Sequence, residues 1–357
     1  MNPQRNLTID IFRGIAILSI VIGHLHWNSY VRNFFFSFHL PLFFIVTGLF
    51  IERSAEKYRF IPFFIHKFKK IVIPFFIAIA VSACINFLVA DPPSLTQMPD
   101  LTEKFFHTIV RGSSGSLINA NYSLYLWFLP PFFLFSIGIY SVFKYFSKYR
   151  LFFLIASFGI SFIIWIGSKY GWYDPEGMIW GIDKLPLMLV FGMIGHYLSS
   201  KLTYFYSKKI PNLLIGFGIL IFASIFDFDV RTNAYTNLGL FFFTSAAGFI
   251  VVYTCALIIN KFSNYRLKKI IAILGKNSLV LYILHCFTYP IVHNIVGEPQ
   301  DGSITIENIF FNIIAFFTSL LIFFLVRSIS KISVTRHVEV KQDHSLGRLL
   351  YKYANVV

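Results

Sequence analysis

Charge is scarce in this chain. Only 13% of its 357 residues are Asp, Glu, Lys or Arg, about half the ~25% of an average soluble domain. So little polar surface could not cover a soluble protein of 41.3 kDa in which 56% of residues are hydrophobic and 45 are Phe. Cysteine is scarce too. Cys84, Cys255 and Cys286 all lie in apolar runs, so neither a disulfide framework nor a thiolate metal site is implied. No Gly-x-x-x-x-Gly-Lys phosphate loop occurs, and ATP use is not indicated. No small-residue cleavage site follows the first apolar run, so a cleavable signal peptide is not expected. What is present, at a mean hydropathy of +0.68, is the composition of a polytopic membrane protein. The formal charge of +15 then reads as basic loops facing the cytoplasm, and nucleic acid is not an expected partner.

A spanning helix needs roughly 20 mainly apolar residues. On that basis the expected fold is all-α, an integral membrane bundle of about ten transmembrane helices. The first half carries Ile9–His26, Phe34–Ile51, Ile71–Val89, Tyr122–Phe143 and Leu151–Gly167. The second carries Leu185–Leu198, Pro211–Phe226, Leu238–Ile259, Leu279–Val296 and Ile306–Val326. Continuous rather than alternating runs favour helices over a barrel. Charge supplies an independent check. With the N-terminus inside, the inner segments hold 25 basic and 5 acidic residues, and the outer loops 6 and 11. That asymmetry places both termini in the cytoplasm. It divides the chain into a transmembrane domain over 1–330 and a basic cytoplasmic tail over 331–357. The longest loop, 90–121, is expected to be an ordered loop at most, so any chemistry belongs between the helices.

Ionisable residues within spans are costly and suggest function. Asp10, Arg13 and His24 fall in or beside the first span. Arg13 and His24 are eleven residues apart, which puts them on one helix face at an axial separation of roughly 16 Å. Asp10 lies one turn before Arg13 and can pair with it. In the second span, Phe38-His39-Leu40-Pro41-Leu42-Phe43-Phe44 adds a second His. It also adds a Pro that frees a backbone carbonyl, which is tolerated where a helix lines a cavity.

This ordered set resembles the membrane acyltransferase-3 family. Asp10-Ile11-Phe12-Arg13-Gly14, closing on His24, is similar to its Arg-to-His opening signature. The second-span run with Thr47-Gly48 resembles its next motif, although the family usually has Met before the Pro and Ser before the Gly. Leu126-Trp127-Phe128-Leu129 and Gly275-Lys276-Asn277-Ser278-Leu279, leading to Tyr282 and His285, match in order and spacing. Within the family the likeness is greatest to sugar O-acetyltransferases, including those described as fucose acetylase-like.

The resemblance implies transfer of acetyl from cytoplasmic acetyl-CoA, as a substrate rather than a bound cofactor, to a hydroxyl of a bacterial surface glycan. Lipopolysaccharide O-antigen, capsule or a related lipid-linked sugar would be the acceptor, at the cell inner membrane. Arg13 would then meet the CoA phosphates, with Lys67 and Lys70 in the place of a family Arg-x-x-Arg pair. The Lys pair keeps the charge but loses bidentate geometry. His24 would be the general base or would itself carry the acyl group. Asp10 would orient Arg13. His39, Tyr282 and His285 would bind the acceptor or support His24. No metal is expected, since no carboxylate or Cys has matching ligand spacing. The rival functions are a polysaccharide or small-molecule transporter or exporter, a glycosyltransferase, and the same enzyme using succinyl-CoA. Oligomeric state and acceptor sugar are not legible in the chain. The charge asymmetry predicts that single cysteines at positions 67 and 298 label very differently in intact cells with an impermeant external reagent, and equal labelling would overturn the topology.

Overall fold

The computed structural model describes residues 6–89, 98–120, 124–174, 178–206, 209–297 and 305–328. The tail at 331–357 lies outside the described residues. In chain order the helices are α1 (Leu7–Gly23), α2 (Ser29–Phe36), α3 (Pro41–Gly48), α4 (Ile51–Lys57), α5 (Phe60–Lys67) and α6 (Ile73–Val89). There follow α7 (Met98–Arg111), α8 (Ser114–Asn119), α9 (Leu129–Tyr145), α10 (Arg150–Lys169), α11 (Leu185–Leu198) and α12 (Lys209–Ala223). The last are α13 (Leu238–Phe262), α14 (Tyr265–Lys276), α15 (Ser278–Val296) and α16 (Ile306–Ser328). One two-stranded antiparallel hairpin, β1 (Phe228–Asp229) and β2 (Ala234–Tyr235), pairs Phe228 with Tyr235. Asn side chains open several helices by accepting a first-turn N–H. Asn6 takes Thr8, Asn28 takes Val31, Asn237 takes Leu240 and Asn264 takes Leu267.

Among the described residues, seven helical segments are long and apolar enough to cross a membrane, and an eighth if α14 and α15 count as one span bent by 81°. The remaining expected spans correspond to α1, of 17 residues, and α12, of 15. Three expected loops are helical instead. Within 90–121, α7 is amphipathic and α8 starts on a reciprocal Ser113–Ser116 capping box. Between the second and third spans, the helix begins at Phe60 rather than Ile71, since Pro62 lies in its first turn where a missing N–H costs nothing. That helix widens to π geometry over Phe68–Val72, where Ile73 N–H reaches back to Phe68 O. Pro74 follows at once and could not have made the ordinary i−4 bond. The stretch 260–278 ends in α14, whose buried residues Ala272, Leu274 and Gly275 pack inward while Arg266 and Lys269 stay exposed.

The second span is broken where Pro41 lacks an N–H. The carbonyl thereby freed, Ser37 O, accepts the Thr244 hydroxyl at 3.2 Å and the Ser245 hydroxyl at 3.1 Å from α13. A buried break in the span is thus satisfied from a neighbouring helix.

α1 lies in the middle of the bundle, packed on α14, α13 and α15. Its approach to α14 is backbone on backbone. A Cβ on Gly275 would stand 1.9 Å from Asp10 O, and one on Gly14 would stand 2.2 Å from Ile271 O. Small residues permit such contact and dispersion alone rewards it. Gly275→Ala is therefore expected to destabilise by about 1–3 kcal/mol or more, whereas Gly159→Ala, with nothing within 4 Å, should be neutral. Unfolding midpoints of the two purified variants in detergent check this, and equal midpoints would show that the close contact does not hold α1.

Candidate functional site

α1 ends at His24, whose φ of −96° and ψ of 0° leave the helix. The last carbonyls of a helix need partners; here the N–H groups of His24 and Leu25 reach Ile20 O and Ile22 O at 3.1 Å, and side chains add to them. His24 Nδ1 bonds Ile20 O at 2.7 Å and Trp27 Nε1 donates to Ile22 O at 2.7 Å. Asn312 of α16 then clamps His26, accepting its N–H at 2.8 Å and donating to its carbonyl at 2.6 Å. A carbonyl only accepts, so the His24 proton sits on Nδ1 and the Nε2 lone pair is turned outward.

Two further imidazoles repeat that arrangement. His39 Nδ1 bonds Phe35 O at 2.7 Å, and His285 Nδ1 bonds Tyr282 O. Both rings stand 5.5 Å from the His24 ring, centroid to centroid, and Tyr125 lies edge-on to it at 4.5 Å. His39 is 1% and His285 4% exposed, and the Nε2 atom of each is buried with no hydrogen-bond partner. His24 alone of the three is half-buried, and it opens into a cavity of about 620 Å³, the size range of a small-molecule site. The Tyr282 hydroxyl donates to Tyr125 O, which fixes the 3₁₀ turn Leu124–Phe128 carrying Tyr125. Among the described residues no group of three or more His, Cys, Asp or Glu is placed to hold a metal ion.

The other end of α1 is cationic. Arg13 is half-buried, with its guanidinium carbon 6.0 Å from the Phe50 ring. The charges of Lys70 and Arg13 both act on Lys67, whose Nζ lies 5.4 Å from the Phe63 ring. Asp10 is 3% exposed, and its carboxylate lies 3.8 Å from Lys276 Nζ. The sequence reading paired Asp10 with Arg13 and missed this cross-helix partner, because it read the region around Lys276 as a loop. The structure thus gathers His24, His39, His285 and Tyr282 at one end of α1, and Arg13, Asp10 and Lys67 at the other. The cavity lining includes His24, His39 and Tyr282 but not Arg13, Lys67 or Lys70. Between the two groups, Ile17, Ile20 and Val21 are each 1% exposed.

A family model described as an acyltransferase domain matches residues 6–328. The chain belongs to the acyltransferase-3 family. No curated protein and no solved structure matches it. The match takes in all the elements that build both ends of α1, and a membrane acyltransferase is the result. In such an acyltransferase the His24 Nε2 lone pair, facing a cavity, can accept a proton from a hydroxyl or attack a carbonyl carbon. Sequence reasoning missed Asn312, which binds His26, and Tyr125, which lies against the His24 ring. Asn312 carried a usable signal, being a polar amide inside an apolar final span. Tyr125 carried none beyond its place beside Leu126-Trp127.

Asn312→Ala would free two backbone groups at His26 inside the bundle. Each unsatisfied group costs about 1–3 kcal/mol, so acyl transfer is expected to fall while the protein still purifies as a single species. Asn312→Asp keeps the acceptor but loses the donor, and should fall between. Wild-type turnover by Asn312→Ala would show that the α1 end needs no clamp.

Proposed function

We propose that this acyltransferase moves an acetyl group from acetyl-CoA to a hydroxyl of a bacterial surface glycan, with His24 at the reacting centre. One observation carries the reading: an imidazole with a fixed Nδ1 proton and an outward Nε2 stands at the end of a cavity walled by aromatic rings. Trp27, Phe36, Tyr125 and Trp127 give the cavity aromatic surface for a sugar ring, and His24, His26, Ser29, Arg32, His39, Asp229 and Arg231 give it polar groups for hydroxyls. Family membership favours acyl transfer over the transporter and glycosyltransferase readings.

Two routes balance. In the first, the glycan oxygen attacks the thioester carbonyl as its proton passes to His24 Nε2. The carbon–sulfur bond then breaks and the proton returns to the departing CoA thiolate. In the second, Nε2 itself displaces CoA thiolate to give an acyl-imidazolium; the hydroxyl oxygen then takes the acyl group, Nε2 is released, and the hydroxyl proton passes to the thiolate. Either route forms an imidazolium at His24. The lone pairs on His39 and His285 Nε2 can steady that charge or share the proton. Tyr282 holds Tyr125 against the ring.

The donor belongs at the other end of α1. Arg13, Lys67 and Lys70 are cations near one another, and CoA carries phosphates, which Arg meets with a planar fork and Lys as point charges. Asp10 with Lys276 anchors the same end of α1 to α14. The proposed topology has ten crossings, counting α1, α12 and α15, with both termini in the cytoplasm of a cell with the protein in its inner membrane. Donor cations then face inward and the His24 cavity outward, towards a glycan borne on a lipid carrier. Succinyl-CoA is the alternative donor.

Arg13→Lys keeps charge but loses the fork, so apparent acyl-CoA affinity is expected to fall roughly tenfold with catalysis retained. His24→Ala should lower transfer by at least about 10²-fold with donor binding largely intact. Glycan mass and base-labile acyl content, compared between wild type and variants, read both and also separate acetyl from succinyl. Near-normal glycan acylation by His24→Ala would remove His24 from the mechanism. Unchanged acyl content with altered glycan location in a null strain would favour transport.

A further inference from the structure

The lining of the cavity that holds the His24 and His39 imidazoles also carries two guanidinium groups from separate elements. Arg32 comes from α2, and Arg231 from the turn between β1 and β2; both line the cavity. The Arg32 guanidinium carbon lies 5.7 Å from the Phe36 ring, and that ring lies 5.4 Å from the His24 ring. Arg32 therefore stands no farther from His24 than those two distances together, a span of the order of one or two sugar rings. Neither Arg is among the cations at the Arg13 end of α1, so they are not part of the donor site proposed there.

Both Args are braced by aspartates of the same hairpin. Asp227 Oδ1 lies 3.7 Å from the Arg32 guanidinium and also accepts Asn33 Nδ2 at 2.9 Å. Asp229 takes the Arg231 backbone N–H at 2.8 Å and its guanidinium at 3.4 Å. The carboxylates are thus occupied within the protein. The Arg32–Asp227 contact is long and its partners are 53% and 75% exposed. Pairs of that kind contribute about 0–1 kcal/mol, so a ligand anion can take the place of Asp227. A guanidinium has five N–H donors, and one long contact leaves Arg32 a fork for a second anion.

The hairpin is fixed in place. Asn233 Nδ2 donates to the buried Asp183 at 2.8 Å, Ser168 to Thr232 O at 3.0 Å, and Trp165 Nε1 to Tyr235 O at 2.8 Å. Val230 is 4% exposed. Arg231 is therefore presented from an anchored support, and its ordering cost is met before a ligand arrives.

From this placement we infer that the acyl acceptor is an acidic sugar, its carboxylate or phosphate held between Arg32 and Arg231 while a hydroxyl faces His24. Trp27 and Trp127 supply stacking faces along the way. The inference rests on the His24 cavity being the acceptor site, as proposed above. It adds a substrate class to that site: glycans bearing uronate or phosphate, in preference to neutral ones.

The test needs no turnover. The full chain in detergent is treated with diethyl pyrocarbonate, and modification of His24 is followed by peptide mass in the presence of glucose, glucuronate or glucose 6-phosphate. One or both acidic sugars should protect His24 at concentrations about two- to fivefold below glucose, the advantage that an exposed charge pair provides. The more protective of the two identifies carboxylate or phosphate. The advantage should shrink with added salt and in Arg32→Gln and Arg231→Gln, and part of it should survive in Arg32→Lys. Equal protection by glucose would overturn the inference, as would an acid preference that both Gln variants retain. If a variant does not fold, the wild-type comparison and its salt dependence decide. Loss of acid preference beside intact His24-dependent glycan acylation would remove this inference alone; normal acylation by His24→Ala would remove the acyl-transfer reading instead.

Discussion

A hydrocarbon surround offers no hydrogen bonds, so each backbone group freed at a helix break must find its partner inside the bundle. The site is built from those partners. Pro41 opens Ser37 O, and the hydroxyls of Thr244 and Ser245 close it. At the end of α1 the carbonyls of Ile20 and Ile22 accept the N–H groups of His24 and Leu25, each at 3.1 Å, and the rings of His24 and Trp27 add a second hydrogen bond to each. His24, His39 and His285 all direct Nδ1 to a main-chain carbonyl of their own helix or the turn before it. A carbonyl only accepts, so these bonds fix the tautomer, and the packing of the rings brings three Nε2 lone pairs into one region.

α1 connects two environments of opposite character. Its first half bears cations and a buried carboxylate, and lies backbone-to-backbone on α14 through Gly14 and Gly275. Its far end opens to a cavity with aromatic walls. Packed Ile17, Ile20 and Val21 lie between. A donor anchored at Arg13 with its thioester at His24 would have to pass alongside this stretch, so the residues flanking α1 there must part for the pantetheine arm. The tight seam with α14 makes that side of α1 the rigid one. Any such movement would then fall to the helices on its other sides.

The hairpin of β1 and β2 shows the same economy at the cavity mouth. Two strands of two residues each cannot be stable alone. This pair is held by α10 and by the buried Asp183, and in return it brings Asp229 and Arg231 to the cavity. Polar side chains on different segments converge there although no local sequence run announces them.

The sequence by itself determined the membrane class, the helical fold and the identity of the central helix. Those follow from composition, from apolar run length, and from the 100° step that puts Arg13 and His24 on one face. The family pattern also singled out His39, Tyr282 and His285, residues that the structure brings to His24. Other features were decided only by tertiary structure. Asp10 meets Lys276 because α14 folds back on α1 after a chain excursion of more than 260 residues. Asn312 clamps His26 across a separation of 286 residues. Phe60 rather than Ile71 begins the third span, because a helix can carry Lys67 and Lys70 once packing and the π turn accommodate them. Run length and charge report what a segment can tolerate. Which carbonyl is left open, and which distant side chain reaches it, depends on how the helices pack, and the same packing brings the three imidazoles together.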